Sequence, residues 1–309
     1  MNNQIFVLEP RCGLCNQLNC IAMGVILGVL YNRNIYFHGF QLDYMNENEL
    51  IDFEEIININ HLIQILELMD IKIKILKSIP VNMNIIPKIN TNDEIINEVK
   101  DIFSYLSNDC NIKEKILNLK NPISSYIPDE YQNLFNYIKL NIRFHDKFYK
   151  IANEIKEKYE LVNYCCMHLR MEDDVLEFFE KKLNKDITDI NDIHKQMYLN
   201  ELNTINYNEV KIYICTSLDI CENKNNLFYK IIKKKYNLID KNDIINNYKL
   251  SDKSEQRELY GIIDYIIATD SIYFIGSDWS SFSIAIKNNH EHHKKDYNLL
   301  KIHDICTNA

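Results

Sequence analysis

Glycine and proline, the usual punctuation between elements, are scarce in this chain, with six and five residues among 309. That leaves little linker material and excludes collagen-like or proline-rich architecture. Long apolar runs are missing as well. The longest, Ile21 to Tyr31, is too short to cross a bilayer and carries two glycines. No basic segment followed by an uninterrupted apolar stretch precedes the first strand pattern at Gln4–Leu8, so a signal peptide is not expected. Nine cysteines are too few for a disulfide scaffold at this length, and their number is odd. A reducing, cytoplasmic setting is the expectation. Concentrated positive charge is also lacking: the net charge is −9, and the short run Lys233 to Lys235 reads as a solvated helix face. A phosphate-backbone binder gathers its basic residues on one face, so a nucleic-acid partner is not expected.

What is present fits two α/β domains, with 46% apolar and 26% charged residues. Ile5–Leu8 reads as a buried strand, a tight loop follows, and a helix is expected from about Asn16 to Leu30, then a strand at Ile35–Phe37. This order opens a nucleotide-type α/β domain. The alternation of Ile71, Ile73 and Ile75 with Lys72 and Lys74 suits a half-exposed or edge strand better than a helix. Pro122 and Pro128 mark a break before a helical stretch near 130–159. A second α/β pattern follows: strands at Val162–Leu169, Lys211–Cys215 and Ser271–Ile275, the last closed by Gly276. Helices are expected at Leu227–Lys235, at Ser254–Ala268 with Ser251 or Ser254 as cap, and from Ser280 to Lys287. The division is set at 1–155 and 156–309.

Three polar constellations carry chemistry. In Cys12-Gly13-Leu14-Cys15-Asn16-Gln17, Gly13 allows a sharp turn and Asn16 and Gln17 stand at a helix start. Backbone N–H groups there attract phosphate, and the amides add donors; a plain turn with an N-cap explains the segment equally well. Cys12 and Cys15 also permit a thiol-exchange reading, and a zinc site with Cys20 lacks an obvious fourth ligand. In His168-Leu169-Arg170-Met171-Glu172-Asp173-Asp174, alternation puts His168 and Arg170 on one side of a strand end. A guanidinium there can grip a diphosphate through two charged hydrogen bonds. The acidic trio suits either a divalent metal or a helix N-terminus. Third, Glu258 and Asp264 in one helix precede Phe274-Ile275-Gly276 and Ser280-Ser281-Phe282-Ser283, where a helix start suits an anion and Phe282 suits a base or ribose.

Taken in this order, Gly13-Leu14-Cys15-Asn16-Gln17, His168-Leu169-Arg170-Met171-Glu172-Asp173-Asp174, Ile263-Asp264-Tyr265, Phe274-Ile275-Gly276 and Ser280-Ser281-Phe282 resemble the GDP-fucose O-fucosyltransferase superfamily. The resemblance implies an α/β, GT-B-like fold of two Rossmann-like domains facing across a cleft. It implies inverting transfer of fucose from GDP-fucose to a hydroxyl of a glycan, free sugar or protein, without an essential metal or cofactor. Residues 1–155 would form the acceptor side and 156–309 the donor side. Asn16 would lie near the diphosphate or sugar, with Gly13 shaping its loop, and Arg170 would bind the β-phosphate. His168 would contact the nucleotide or support its strand end. Asp264 would hold the nucleotide side, with Ser281, Phe282 and, more weakly, Ser280 near phosphate and base. Glu172 or Asp174 would accept the acceptor's proton. Alternatives that stay open are another nucleotide sugar, a non-catalytic nucleotide- or glycan-binding relative, and a redox pair at Cys12 and Cys15. Those cysteines depart from the small or varied residues around the family's first motif.

Overall fold

The structure is a computed structural model that describes residues 4–42, 50–78, 88–90, 106, 116–120, 127–171, 187–206, 209–217, 227–242, 250 and 256–301. The chain divides into two compact units, Met1–Asp146 and Lys147–Ala309.

In the first unit, Ile5, Phe6, Val7 and Leu8 are consecutive and all buried, as a strand covered on both faces requires. They form β1 (Ile5–Glu9), which pairs in parallel with β2 (Asn34–Phe37) and β7 (Ile116–Lys120). With β5 (Ile75–Leu76) and β6 (Lys88–Asn90) the sheet runs β5-β2-β1-β7-β6, every pair parallel. The isoleucine–lysine alternation reaches the sheet only at its last residue. Ile75 and Leu76 are the edge strand, while residues 71–74 are irregular. A small antiparallel pair, β3 (Phe40–Gln41) and β4 (Leu50–Ile51), stands apart.

Helix α1 (Leu14–Leu30) begins two residues earlier than the apolar spacing suggests. It packs against β1 and β2 through Gly24 and Gly28, one turn apart. A Cβ on Gly24 would stand 2.1 Å from Leu8 Cδ1, and one on Gly28 would stand 2.8 Å from Ile73 Cδ1 and 2.9 Å from Ile35 Cδ1. Two short helices, α2 (Phe53–Ile56) and α3 (Ile59–Leu68), are capped by the side chains of Asp52 and Asn58. The helical stretch expected near 130–159 is two helices, α4 (Asp129–Asn141) and α5 (Asp146–Lys158). They are separated where Ile57 and Phe144 form an isolated bridge and His145 N–H donates to Ile56 O. The bulk of α5 belongs to the second unit, where Lys156 reaches Asp270 at 2.6 Å, so the division falls earlier than 155/156.

The second unit is built on four parallel strands in the order β11-β10-β8-β9: β8 (Cys165–His168), β9 (Ile212–Cys215), β10 (Tyr273–Ser277) and β11 (Asp296–Leu300). β8 is shorter than its apolar pattern because Asn163, at φ 52°, turns the chain ahead of it. The period of two then sorts its side chains. Cys165, Met167, Leu169 and Met171 join one core cluster with Tyr198 and Leu202 of α6 (Ile187–Thr204) and Tyr229 and Ile232 of α7 (Leu227–Tyr236). The opposite parity, Tyr164 and His168, bonds to α8 (Arg257–Asp270) and α9 (Ser281–His292), through Ile267 O and Ser283 respectively. α8 starts at Arg257, behind Gln256 with no side-chain cap; Ser251 and Ser254, like Pro122, lie outside the described residues. β10 starts later than Ser271, whose side chain bonds back to Ala268 O, and it runs through Gly276 to Ser277. Among the described residues no helix is long and apolar enough to cross a membrane.

Replacing Gly28 by Val gains a few tenths of a kcal/mol in helix propensity and costs about 1–3 kcal/mol in overpacking against Ile35 and Ile73. A net loss of stability is expected in urea unfolding; a gain would show that α1 does not seat as closely as described.

Candidate functional site

Ligands of parallel α/β sheets sit at the carboxyl ends of the strands, where the strand order reverses. In the second unit the chain moves from β8 to β9 on one side and to β10 and β11 on the other, so the reversal lies between β8 and β10. His168 ends β8, Ser277 ends β10, and α9 starts a few residues further on.

One hydroxyl joins these three elements. Ser283 Oγ accepts the Ser277 N–H at 3.0 Å and lies 2.9 Å from His168 Nδ1. The hydroxyl thus ties the end of β10 to the imidazole that ends β8. Ser280 caps α9 by accepting the Ser283 N–H at 3.3 Å. Gly276 makes room: a Cβ there would stand 2.5 Å from Ser283 Oγ. The half-buried Phe282 ring lies 4.7 Å from the His168 ring and 6.0 Å from that of Tyr265, forming an aromatic wall. Burial first, then the charges of Arg170 and Lys241, hold His168 well below the usual imidazole pKa, so it is neutral at pH 7.

Arg170 is half-buried just beyond β8. Its backbone N–H donates to Tyr198 Oη at 3.1 Å, and the same hydroxyl donates to His168 O at 2.8 Å. One tyrosine of α6 thus fixes the carbonyl of the histidine and the amide of the arginine together. Ser283 stands in the third polar segment without a role of its own, and Tyr198 stands in none. Ser283 carried a signal as the third residue after a capping Ser280, whereas Tyr198 carried none.

Asp264 lies deeper, and both of its oxygens are engaged. Oδ1 accepts from Tyr213 Oη at 2.8 Å, and Oδ2 accepts from Lys241 Nζ at 2.5 Å. Lys241 also donates to Thr216 O at 2.6 Å, and Thr216 Oγ1 donates to Leu169 O at 2.9 Å. This buried pair is tied to the backbone beside His168 and Arg170. Burial raises the Asp264 pKa, and Lys241 and the two hydrogen bonds oppose that rise.

The first unit holds the other motif, at the carboxyl end of β1. Gly13 is not the residue that makes the turn: its φ is −63°, which any residue adopts, while Cys12 carries the left-handed φ of 72°. The buried Gln17 holds that shape. Its Nε2 donates to Cys12 O and Gln41 O, both at 2.9 Å, and its Oε1 accepts the Gln41 N–H. Gln41 Oε1 in turn accepts the Cys12 N–H at 2.8 Å. Gln17 therefore braces the loop and has no amide hydrogen left for a phosphate. Asn16 is half-buried in the first turn of α1, its N–H bonded to Gly13 O. Neither Cys12 nor Cys15 is in a disulfide. A cavity of about 200 Å³ at the carboxyl end of β2 is lined by Tyr36, His38, Asp52, Phe53, Glu54 and Lys77, among others.

Of the residues read from the sequence, the structure brings His168, Ser280 and Phe282 into one group and ties Arg170 to it through Tyr198. Ser281 is exposed at the first position of α9, Asp264 stands one layer below, and Gly13 and Asn16 belong to the other unit. Glu172, with Asp173 and Asp174, lies outside the described residues. Among the described residues no group of three or more His, Cys, Asp or Glu side chains is placed to hold a metal ion.

Two α/β units, each on a parallel sheet, with polar strand ends at a reversal of strand order in the second, fit a GT-B-like architecture. Solved structures agree in fold. The chain is similar to POFUT1 in complex with GDP-fucose at a TM-score of 0.61, with 13% identity over 97% of this chain and 98% of that one. It is similar to the fucosyltransferase NodZ from Bradyrhizobium at a TM-score of 0.55, with 13% identity over 92% and 91% of the two chains. No curated protein matches the sequence. The family described as GDP-fucose protein O-fucosyltransferase matches residues 46–293, and the chain belongs to it, an enzyme of the fucosyltransferase type.

Two outcomes follow from the buried charges. Asp264→Asn leaves Lys241 buried beside a neutral partner and should cost about 3–5 kcal/mol. Adding Lys241→Met should recover part of that loss in chemical unfolding; strict additivity would contradict the pair. His168, His194 and His290 all have pKa values lowered by burial, His194 to about 4. Their neutral forms favour the fold fully above the unfolded value near 6.5, and that contribution is lost as pH falls from there toward 4. The melting temperature should therefore drop between pH 7 and 5; a flat profile would show these rings to be solvated.

Proposed function

We propose that the chain transfers fucose from GDP-fucose to a hydroxyl of a glycan, free sugar or protein, with inversion and without an essential metal. The observation that carries this reading is the joining of His168, Ser283 and Ser277 at the strand-order reversal, with Arg170 one step beyond. POFUT1 structures hold GDP-fucose or GDP, and NodZ was co-crystallised with GDP, which supports a guanine nucleotide as the donor's carrier.

Residues of the second unit take the donor side. The Arg170 guanidinium binds the β-phosphate and balances the charge that grows on GDP as the anomeric C–O bond breaks. The backbone N–H groups at the start of α9, behind Ser280 and Ser281, face the same negative charge. His168 contacts the nucleotide or supports its strand end, and Phe282 covers the base or ribose. Asp264 acts at one remove, because Lys241 and Tyr213 occupy its oxygens. The first unit takes the acceptor side, with Asn16 on its braced loop near the transferred sugar. The acceptor oxygen attacks the anomeric carbon opposite the departing GDP, which keeps the bonding electron pair, and the hydroxyl proton passes to a carboxylate, for which Glu172 is the candidate. The odd number of cysteines supports a reducing, cytoplasmic setting.

A thermal-shift panel of GDP, UDP, CDP and their sugar derivatives, run in EDTA, tests the reading. GDP and GDP-fucose should stabilise the protein without metal, and selective stabilisation by UDP or CDP would remove the guanine assignment. Slow release of fucose from GDP-fucose in water should follow, and Arg170→Ala should reduce it about 100-fold or more while the protein stays folded. Wild-type turnover in that variant would contradict the clamp.

A further inference from the structure

His194 lies in α6, one turn before Tyr198, and its ring is 4.9 Å from the Tyr198 ring at an interplanar angle of 36°. The side chain is fully buried, yet neither Nδ1 nor Nε2 has a hydrogen-bond partner. Buried polar atoms without partners are rare in folded proteins, and each calls for a reason. Packing does not supply one, since Tyr198 and Leu202 fill the adjoining turns of α6 in the core with apolar surface.

The place of the ring does. Tyr198 is the residue that fixes Arg170 N and His168 O, and the Arg170 charge is close enough to add to burial in keeping His194 unprotonated. A neutral imidazole carries one acceptor nitrogen and one N–H. Next to a guanidinium, the acceptor is the useful half.

We propose that His194 is a positioning residue for Arg170: with the donor bound, the acceptor nitrogen of its neutral ring takes one guanidinium N–H, orienting the remaining donors of the fork on the β-phosphate. The role rests on the donor reading above. It also gives the unpartnered ring a partner.

The test compares wild type with His194→Phe, His194→Met, His194→Asn and His194→Gln, by melting temperature without ligand, GDP thermal shift and kcat/KM for release of fucose from GDP-fucose. The Phe and Met variants remove the polar atoms without breaking a hydrogen bond, so at least one of them should melt at or above the wild-type temperature. Both should lose about 10- to 100-fold in kcat/KM, the scale of a misplaced charged group. Asn or Gln, which restores a carbonyl acceptor near Nδ1 or Nε2, should recover most of that loss. Unchanged turnover in Phe and Met overturns the proposal, as does equal loss in all four variants. No GDP shift in the wild type would instead defeat the donor reading, and the role of His194 with it; a wild-type shift with full activity in His194→Phe defeats His194 alone.

Discussion

The carboxyl ends of β8 and β10, where the strand order of the second sheet reverses, depend on the three-way hydrogen bond at Ser283. That hydroxyl belongs to a helix, accepts from the last residue of one strand and reaches the histidine that ends its neighbour. It therefore fixes the spacing between the two strands where their connections diverge, and it orients the ring of His168. Gly276 keeps the space for it. On the other face of the sheet, Tyr198 does the complementary work, holding the chain as it leaves β8. The backbone of Arg170 is thus placed by Tyr198, which also holds the His168 carbonyl two residues earlier.

Electrostatics around this point are arranged in layers. Deepest is Lys241 with Asp264, whose charges offset each other while their remaining bonds reach backbone and Tyr213. Above them, His168 and His194 are kept neutral by burial and by the arginine itself. Arg170, half-buried, carries the charge that a diphosphate would meet. A second protonated ring there would strengthen the general attraction for anions but would compete with the guanidinium for orientation. Neutral imidazoles shape the site without doing so.

Much of this was legible from the residues. The consecutive apolar run of Ile5–Leu8 announced a buried strand, and the apolar run ending at His168 and Leu169 announced another. The polar segments at strand ends announced where chemistry belongs. What the sequence hid was partnership across the fold. Asp264 looked like a ligand-binding carboxylate, and nothing nearby in the chain showed that Lys241 and Tyr213 would occupy it. Gln17 looked like a phosphate donor, and its partner Gln41 lies across α1 and β2. Gly13 drew the turn because glycine usually does, while the backbone placed the left-handed residue at Cys12. Long-range hydrogen bonds leave no period in a sequence, so these roles appear only when the strands are set side by side.

The Cys12 loop has one more implication. A residue with a side chain is held in a conformation it disfavours by two glutamines, one from the following helix and one from a separate strand. The shape is imposed by buried amides and not chosen by the loop's own residues. A group arriving at the start of α1 accordingly meets a preorganised backbone, and its binding free energy is not diminished by the need to order the loop.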